Sequence, residues 1–199
     1  RGGNLELFQR YQMPLEWLED IPSMVDRMCT VYLPQDVSAI VDRVAKFKIG
    51  SWESEDDTLF LRYRQESEKD ILISTGGWTD IQLKARCRPA RCFYLHCIAA
   101  YPTAREDVQL GAIDRYGLDG FSDHTGLIRM GGYAALAGAQ IIEAHLRDDL
   151  TDPQNPDWFV SLDPGAFAEY VWNIREAERC LGDGPRIIPA GEQWHDSAS

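Results

Sequence analysis

The chain has 199 residues, which suggests one domain, and its 44% apolar and 26% charged residues are typical of a folded domain with a sizeable core. Acidic residues number 32 against 20 basic residues, and the resulting net charge of -12 argues against nucleic acid or an anionic membrane surface as the main partner. No apolar run approaches the ~20 residues that a bilayer-spanning helix needs, so we expect no membrane partner.

Short apolar, β-branched and aromatic runs alternate along the chain with segments of helical spacing. In chain order the predicted elements are helix 14–28, strand 30–33, helix 36–44, strand 46–50, helix 56–68, strand 71–75, helix 80–87, strand 92–97, helix 106–116, strand 120–122, helix 127–137, strand 140–145 and helix 164–180. The pattern predicts one domain over 1–182, followed by a C-terminal tail over 183–199.

Strands that alternate with helices predict an α/β fold with a parallel sheet covered by helices. Two architectures compete, a doubly wound open sheet and a β/α barrel. The first predicted strand is not followed by G-x-G-x-x-G, which weakens the dinucleotide-binding form of the open sheet. A complete barrel needs eight strands and usually about 250 residues, whereas only six βα units are predicted here.

The cysteine pattern does not indicate a disulfide framework, because the number is odd and the spacing irregular. No C-x-x-C pair supports a zinc ribbon. Reduced thiols predict a cytoplasmic protein. The sequence begins Arg-Gly-Gly-Asn, without Met or the apolar region of a signal peptide, as expected of an excerpt, a processed product or a recoded start. The five cysteines are Cys29, Cys87, Cys92, Cys97 and Cys180.

Polar residues collect where the predicted strands end. In parallel α/β folds the carboxyl ends of the strands carry the site, so we expect these side chains to converge. They are Lys48, Ser51 and Glu53 after the second run, Ser74 at the third, His96, Cys97 and Tyr101 at the fourth, Ser122, Asp123 and His124 at the fifth, Glu143 and His145 at the sixth, and Asp157 in the following loop.

His124 and His145 lie one βα unit apart, so they would occupy neighbouring strand ends and could share a metal ion. Asp123 and Glu143 nearby, together with open positions, favour Mn²⁺ or a similar divalent ion. A lone histidine is more often a satisfied structural residue, and that interpretation stays open for the pair. We predict that His96 is buried and structural and that His195 has no role.

Lys48 stands in the middle of an apolar strand, between Phe47 and Ile49. A lysine that points into a barrel is costly unless it meets an anion. With Ser51 and the Ser74-Thr-Gly-Gly turn nearby, it favours a phosphate or carboxylate site. The alternative is a lysine that snorkels on the helix-facing side.

Six stretches together resemble the sialic-acid (N-acetylneuraminate) synthase family, whose members condense phosphoenolpyruvate with an N-acetylated aminosugar. The order and spacing of the stretches match as well, over about residues 20–185. They are Phe-Lys-Ile-Gly-Ser (47–51), Ile-Ser-Thr-Gly-Gly (73–77), Leu-His-Cys-Ile-Ala-Ala-Tyr-Pro-Thr (95–103), Gly-Phe-Ser-Asp-His-Thr (120–125), Gly-Ala-Gln-Ile-Ile-Glu-Ala-His (138–145) and Pro-Asp-Trp-Phe-Val-Ser-Leu-Asp-Pro (156–164).

The resemblance implies an incomplete (β/α)8 TIM barrel and a role for each site residue. His124 and His145 would hold Mn²⁺. Glu53 would be an active-site acid that orients or deprotonates water. Lys48 and four hydroxyl residues match positions that hold phosphoenolpyruvate, and two further residues match sugar-contacting positions. The four hydroxyl residues that match phosphoenolpyruvate-binding positions are Thr30, Ser51, Ser74 and Ser122. The spacing from Thr30 to Lys48 is one residue shorter than in the family. The two residues that match sugar-contacting positions are Tyr101 and Asp157.

Several features depart from the family pattern. The first two strands of the family barrel and the C-terminal antifreeze-like domain have no counterpart in the sequence, an asparagine is replaced by Ala99, and a basic residue is replaced by Ala144. Three interpretations stay open: a synthase completed as a homo-oligomer, by another chain or by an omitted segment; a divergent lyase or synthase with a smaller acceptor; and a non-catalytic scaffold or sugar-binding subunit. Unpaired edge strands are a liability that a partner could cover.

Overall fold

The computed structural model describes residues 10–182 of the chain. The predicted tail 183–199, with His195, lies outside these residues, so its prediction is untested. Within the described part, no helix is long and apolar enough to cross a bilayer.

Six short strands form one parallel sheet whose spatial order follows the chain order. The α/β prediction of six βα units is therefore confirmed, and sequential parallel pairing is the connectivity of a β/α barrel. The strands are β1 (Met28–Thr30), β2 (Lys46–Ile49), β3 (Ile71–Ser74), β4 (Cys92–Cys97), β5 (Gly120–Asp123) and β6 (Ile141–Ala144).

The α-helices between the strands are short, and a long one follows the sheet. They are α1 (Val37–Ile40), α2 (Thr58–Glu66), α3 (Asp80–Ala85), α4 (Ala112–Tyr116), α5 (Met130–Leu136) and α6 (Pro164–Leu181), with 3-10 turns at Leu15–Glu19, Pro34–Asp36, Glu53–Glu55 and Arg105–Asp107. The Asp163 side chain accepts a hydrogen bond from the Ala166 N–H and so caps α6.

Two predictions near the amino end are wrong. Helix 14–28 is only the 3-10 turn Leu15–Glu19, because Pro22 removes a backbone donor and the apolar Met24 and Val25 face solvent. The first strand is Met28–Thr30 and not 30–33. The predicted helix 106–116 is divided into a 3-10 turn and α4.

The apolar core lies between the outer face of the sheet and the helices. Phe47, Ile71 and Tyr94 belong to a buried cluster beneath β1–β4, whereas Phe121 belongs to a second cluster with α5 and α6. Because successive side chains of a strand alternate between faces, the residues between these apolar positions point to the inner face.

The sheet is curled strongly enough to bring β2 opposite β6. The Lys48 Nζ lies 3.4 Å from the Glu143 Oε2, although three strands separate the two residues' own strands. In a flat sheet, four spacings of about 4.8 Å would hold these two backbones ~19 Å apart. The inner face therefore lines a partial barrel.

Candidate functional site

Strand register places five chemically active side chains on the inner face. Lys48 is paired with Leu72, and Ser74 stands two residues further along β3 on the same face. Cys97 is paired with Ser122, which is paired with Glu143. Paired residues, and residues two apart on a strand, share a face. We call this set the inner row: Lys48, Ser74, Cys97, Ser122 and Glu143.

The Lys48 side chain points into the partial barrel, which rules out the snorkelling alternative. It is 6% exposed, and its ammonium donates to the Ser74 hydroxyl at 2.8 Å and to the Ile49 carbonyl at 3.3 Å. A buried ammonium is tolerated only with hydrogen bonds and a counter-charge, and Glu143 supplies the charge at 3.4 Å. The predicted closeness of Lys48 and Ser74 is thus confirmed.

His124 and His145 follow β5 and β6 directly, and their rings meet edge to face with centroids 5.3 Å apart at an interplanar angle of 68°. We call them the histidine pair. Their predicted convergence is confirmed, because residues that follow paired strand ends keep the same inward direction. Their binding of a metal ion stays a prediction.

Hydrogen bonds fix the orientation of the His124 ring. Its Nδ1 lies 2.8 Å from the Ile98 carbonyl, to which it donates, so Nε2 carries the lone pair. The Tyr101 hydroxyl lies 3.0 Å from Nε2, and the Ser122 hydroxyl 3.4 Å. Burial lowers the pKa of His124, and the nearby His145 lowers it further. The ring therefore presents a neutral nitrogen to the interior.

His145 and Asp157 form the outer part of the site. The His145 Nδ1 lies 3.4 Å from the Asp157 Oδ2, and this hydrogen bond lowers the pKa of Asp157 below its ordinary value. Tyr101 stacks on His124 at a centroid distance of 4.2 Å and meets His145 edge-on at 5.8 Å. The two predicted sugar-contacting residues therefore both lie against the histidine pair: Tyr101 contacts both rings, and Asp157 contacts His145.

Glu143 is the member of the site to which sequence reasoning gave no role beyond standing near the histidines. Its side chain is 32% exposed, but its Oε2 is shielded from solvent and accepts no hydrogen bond from residues 10–182. Burial raises the pKa of Glu143, but the Lys48 ammonium and the Ser122 hydroxyl outweigh it, so the net shift is downward. The group is therefore a carboxylate that is held mainly by charge.

The floor of the site is tightly packed around Gly76. The Gly76 N–H donates to the Ser51 hydroxyl at 3.2 Å, and the Ser51 hydroxyl lies 3.3 Å from the Cys97 sulfur. A Cβ at position 76 would stand 2.6 Å from the Ser51 Oγ and 3.0 Å from Ala99. The close approach requires glycine here. Burial raises the pKa of Cys97, which favours a neutral thiol.

Two predicted residues are placed by the backbone and the 3-10 turns. Thr30 is the register partner of Lys48 and so stands beside it on the inner face. Glu53 begins the 3-10 turn Glu53–Glu55, and its carboxylate lies over Gly50, where a Cβ would stand 2.5 Å from the Oε2. Neither role is tested by this placement.

Asp123, which the sequence placed near a metal site, has a structural role instead. It points to the outer face, where its Oδ2 accepts from the Tyr170 hydroxyl at 2.9 Å and its Oδ1 accepts from the Thr125 N–H at 2.8 Å. Asp123 therefore ties α6 to the turn after β5 and is not a candidate metal ligand. His96 likewise faces outward, buried, with its Nε2 2.6 Å from the Val108 carbonyl, which confirms its structural assignment.

A divalent cation fits the donor set of the histidine pair. The shielded, unbonded oxygen of Glu143 is an orphaned acceptor in the same interior. Imidazole and carboxylate donors suit ions such as Mn²⁺. No three His, Cys, Asp or Glu side chains between residues 10 and 182 form a group that could hold a metal ion, so the histidine pair offers two donors and not a complete ligand set.

The curled parallel sheet, with an ammonium, two imidazoles and hydroxyls at the carboxyl ends of its strands, places the protein among β/α-barrel proteins with a polar site inside the barrel. The NeuB family model matches residues 2–186. The chain belongs to the NeuB family.

Two curated relatives show what the family includes. Pseudaminic acid synthase of Campylobacter jejuni is 30% identical over 197 residues, which cover 90% of this chain and 57% of the relative. The human N-acetylneuraminate-9-phosphate synthase is 32% identical over 148 residues, 68% of this chain and 40% of the relative. The matched part of the chain thus spans 57% of the length of the first synthase and 40% of the second.

The fold has a counterpart among solved structures. The N-acetylneuraminic acid (sialic acid) synthetase of Leptospira borgpetersenii, crystallised with citrate, superposes with a TM-score of 0.69 at 24% identity, over 81% of this chain and 60% of that one. At this identity the likeness supports the barrel fold, which confirms the TIM-barrel prediction.

Proposed function

We propose that the chain takes part in condensing phosphoenolpyruvate with an N-acetylated aminosugar to give a sialic-acid-like nonulosonate, with release of phosphate. The observation that carries the proposal is the buried Lys48 ammonium, which donates to Ser74 inside the partial barrel and lies within reach of the carboxylate that precedes His145. The family relationship to named synthases supports the same reaction.

Each inner-face group has a proposed part. Lys48, with the hydroxyls of Ser51, Ser74, Ser122 and Thr30, would bind the phosphate and carboxylate of phosphoenolpyruvate. An ammonium and several hydroxyls are the donors that such an anion needs, and they offset the repulsion that a net charge of -12 exerts on it. Tyr101 and Asp157 would bind the sugar at the open rim.

The histidine pair would hold the divalent ion, proposed as Mn²⁺, which when bound acts as a Lewis acid on the aldehyde oxygen of the open-chain sugar. The enol carbon of phosphoenolpyruvate forms the new C–C bond with the aldehyde carbon. Water adds to the electron-poor carbon that carries the enol oxygen, and the C–O bond to that oxygen then breaks, so that phosphate departs with its bridging oxygen and a ketone remains. Glu53 would orient that water or accept its proton.

A non-catalytic role, as a scaffold or sugar-binding subunit, is the second candidate. It is favoured by Ala99, whose methyl group lies against the position of a Gly76 Cβ and offers no hydrogen bond where the family has an asparagine. Ala144 similarly replaces a basic residue. In either role we propose that a second copy or a partner chain covers the edges of β1 and β6, which pair on one side only within the described sheet. A cytoplasmic location is proposed from the free cysteines.

Metal content and turnover together test the proposal. Purified protein is loaded with Mn²⁺, freed of excess ion and measured by elemental analysis, and phosphate release is followed with phosphoenolpyruvate and N-acetylmannosamine. We expect bound Mn²⁺ in the wild type and its loss in His124→Ala and His145→Ala, since each variant removes one of two imidazoles.

Lys48→Met should lose phosphoenolpyruvate binding while circular dichroism stays that of the wild type. Lys84→Met, which removes an exposed lysine on α3, is the control and should bind normally. Unchanged metal stoichiometry in both histidine variants would refute the pair. Binding of the ion and phosphoenolpyruvate without turnover of any aminosugar tried would favour the non-catalytic candidate.

A further inference from the structure

The contact between Lys48 and Glu143 is a charge pair with incomplete hydrogen bonding. The ammonium donates to Ser74 and to the Ile49 carbonyl, but the nearest Glu143 oxygen, at 3.4 Å, accepts no hydrogen bond from it or from any other described residue. A shielded oxygen without a donor is a destabilising feature that a ligand could relieve. A ligand that supplies a better partner to Lys48 or to Glu143 could therefore replace this contact.

The Glu143 carboxylate lies between the Lys48 ammonium and the histidine pair. Lys48 lies 3.4 Å from Glu143 on one side, and His145 follows Glu143 two residues further along the chain. Glu143 and His145 share the inner face because they are two residues apart at the end of β6.

Charge arithmetic shows why this matters for an incoming phosphate. Lys48 and Glu143 together carry no net charge, whereas a phosphate monoester carries about -1.5 to -2 near neutral pH. With Glu143 in place, the ammonium is already neutralised and the phosphate meets a carboxylate at short range. Removing that carboxylate from the ammonium changes repulsion into attraction.

We propose that Glu143 couples the phosphate site to the cation site. Its carboxylate pairs with Lys48 when no ligand is present, and it turns toward the divalent cation of the histidine pair when that cation binds, which frees the ammonium for phosphate. The proposal rests on the proposed function, because it takes phosphoenolpyruvate and a divalent ion as the ligands. Since coupling between two sites is reciprocal, phosphoenolpyruvate would also tighten cation binding.

A purely structural Glu143 would behave differently. If it only neutralised Lys48, its replacement would destabilise the fold but leave the effect of metal on phosphate affinity unchanged. If it couples the sites, its replacement by glutamine removes the competing charge and leaves Lys48 available without metal. The two roles are therefore separated by binding measurements that need no catalysis.

The test is isothermal titration of phosphoenolpyruvate into wild type and Glu143→Gln, each in EDTA and in saturating Mn²⁺. For wild type we expect affinity to rise about 5- to 150-fold with Mn²⁺, the usual range of coupling between sites. For Glu143→Gln we expect tighter binding than wild type in EDTA and a ratio at least several-fold smaller. Glu106→Gln removes one exposed acid in the 3-10 turn Arg105–Asp107 and should behave as wild type.

Each other outcome decides against a stated idea. Equal Mn²⁺ ratios in wild type and Glu143→Gln overturn the coupling and leave the proposed function standing. A wild type whose phosphoenolpyruvate affinity does not change with Mn²⁺ overturns the coupling without any variant, so the test holds even if Glu143→Gln fails to fold. Absence of phosphoenolpyruvate binding to wild type in Mn²⁺ overturns both.

Discussion

At the scale of single residues, the site depends on side chains that lie on the opposite, outer face of the sheet. Asp123 and Thr125 flank His124, and both belong to a hydrogen-bonded turn whose carboxylate also accepts from Tyr170 on α6. Burial raises the pKa of Tyr170, so its hydroxyl stays a donor throughout the physiological range. The direction of the His124 ring is thus set partly by a helix on the other side of the sheet.

Tyr170→Phe tests this link. The variant removes one charge-assisted hydrogen bond from a buried carboxylate, and we expect the free energy of unfolding to fall by about 1.5–3 kcal/mol. Thermal denaturation should show a melting temperature lower by roughly 3–12 °C, at about 2–4 °C per kcal/mol for a chain of this size. Tyr133→Phe, on the exposed side of α5, is the control, and a matching loss there would argue against a specific role for the Asp123 bond.

The residue scale also shows what sequence reasoning could and could not supply. Lys48 was predictable because a charged residue within an apolar strand demands a partner, and the histidine pair was predictable from its spacing of one βα unit. The expectation that Asp123 belongs to the metal environment was wrong although a signal was present, since strand alternation puts it on the face opposite to Ser122 and His124. The partnership of Lys48 with Glu143 was not predictable, because it depends on the curl of the sheet.

At the scale of elements, close helix packing explains why α5 can carry two glycines. A Cβ at Gly131 would stand 2.6 Å from the Tyr170 ring, and one at Gly132 would stand 2.9 Å from the Asn173 carbonyl oxygen of α6. The long α6 was predictable from its helical apolar spacing. The false helix 14–28 had similar spacing, but Pro22 interrupts it and no sheet surface covers Met24.

Gly132→Ala has two opposite effects on the free energy of unfolding, and the size of each is known. Helix propensity favours alanine by about 1 kcal/mol, whereas overpacking against a backbone carbonyl costs about 1–3 kcal/mol. We expect packing to dominate and the free energy of unfolding in urea to fall. Gly111→Ala is the matched control, since it lies just before α4 with no atom within 4 Å of its Cβ and should be neutral or slightly stabilising. Equal gains in both variants would mean that the two helices are loosely packed.

At the scale of the whole molecule, the apolar core consists of two clusters, and the site spans both. Lys48 and Ser74 stand on strands over the first cluster. Glu143 lies on a strand associated with the second cluster, and the histidine pair follows the two strands associated with it. Ligands that contact both sets would hold the two sides of the curled sheet together. The stability of the entire domain should then respond to ligands, although the contacts are confined to one end of the strands.

Ligand-dependent melting measures this response. Phosphoenolpyruvate at 100 times its dissociation constant should add about 2.7 kcal/mol to the free energy of unfolding, or roughly 5–11 °C in melting temperature. In Lys48→Met we expect the shift with phosphoenolpyruvate to vanish and the shift with Mn²⁺ to persist, whereas His145→Ala should lose the shift with Mn²⁺. Lys84→Met should keep both. A full phosphoenolpyruvate shift in Lys48→Met would place the anion elsewhere, because an ammonium that binds the ligand cannot be removed without loss of the linked stabilisation.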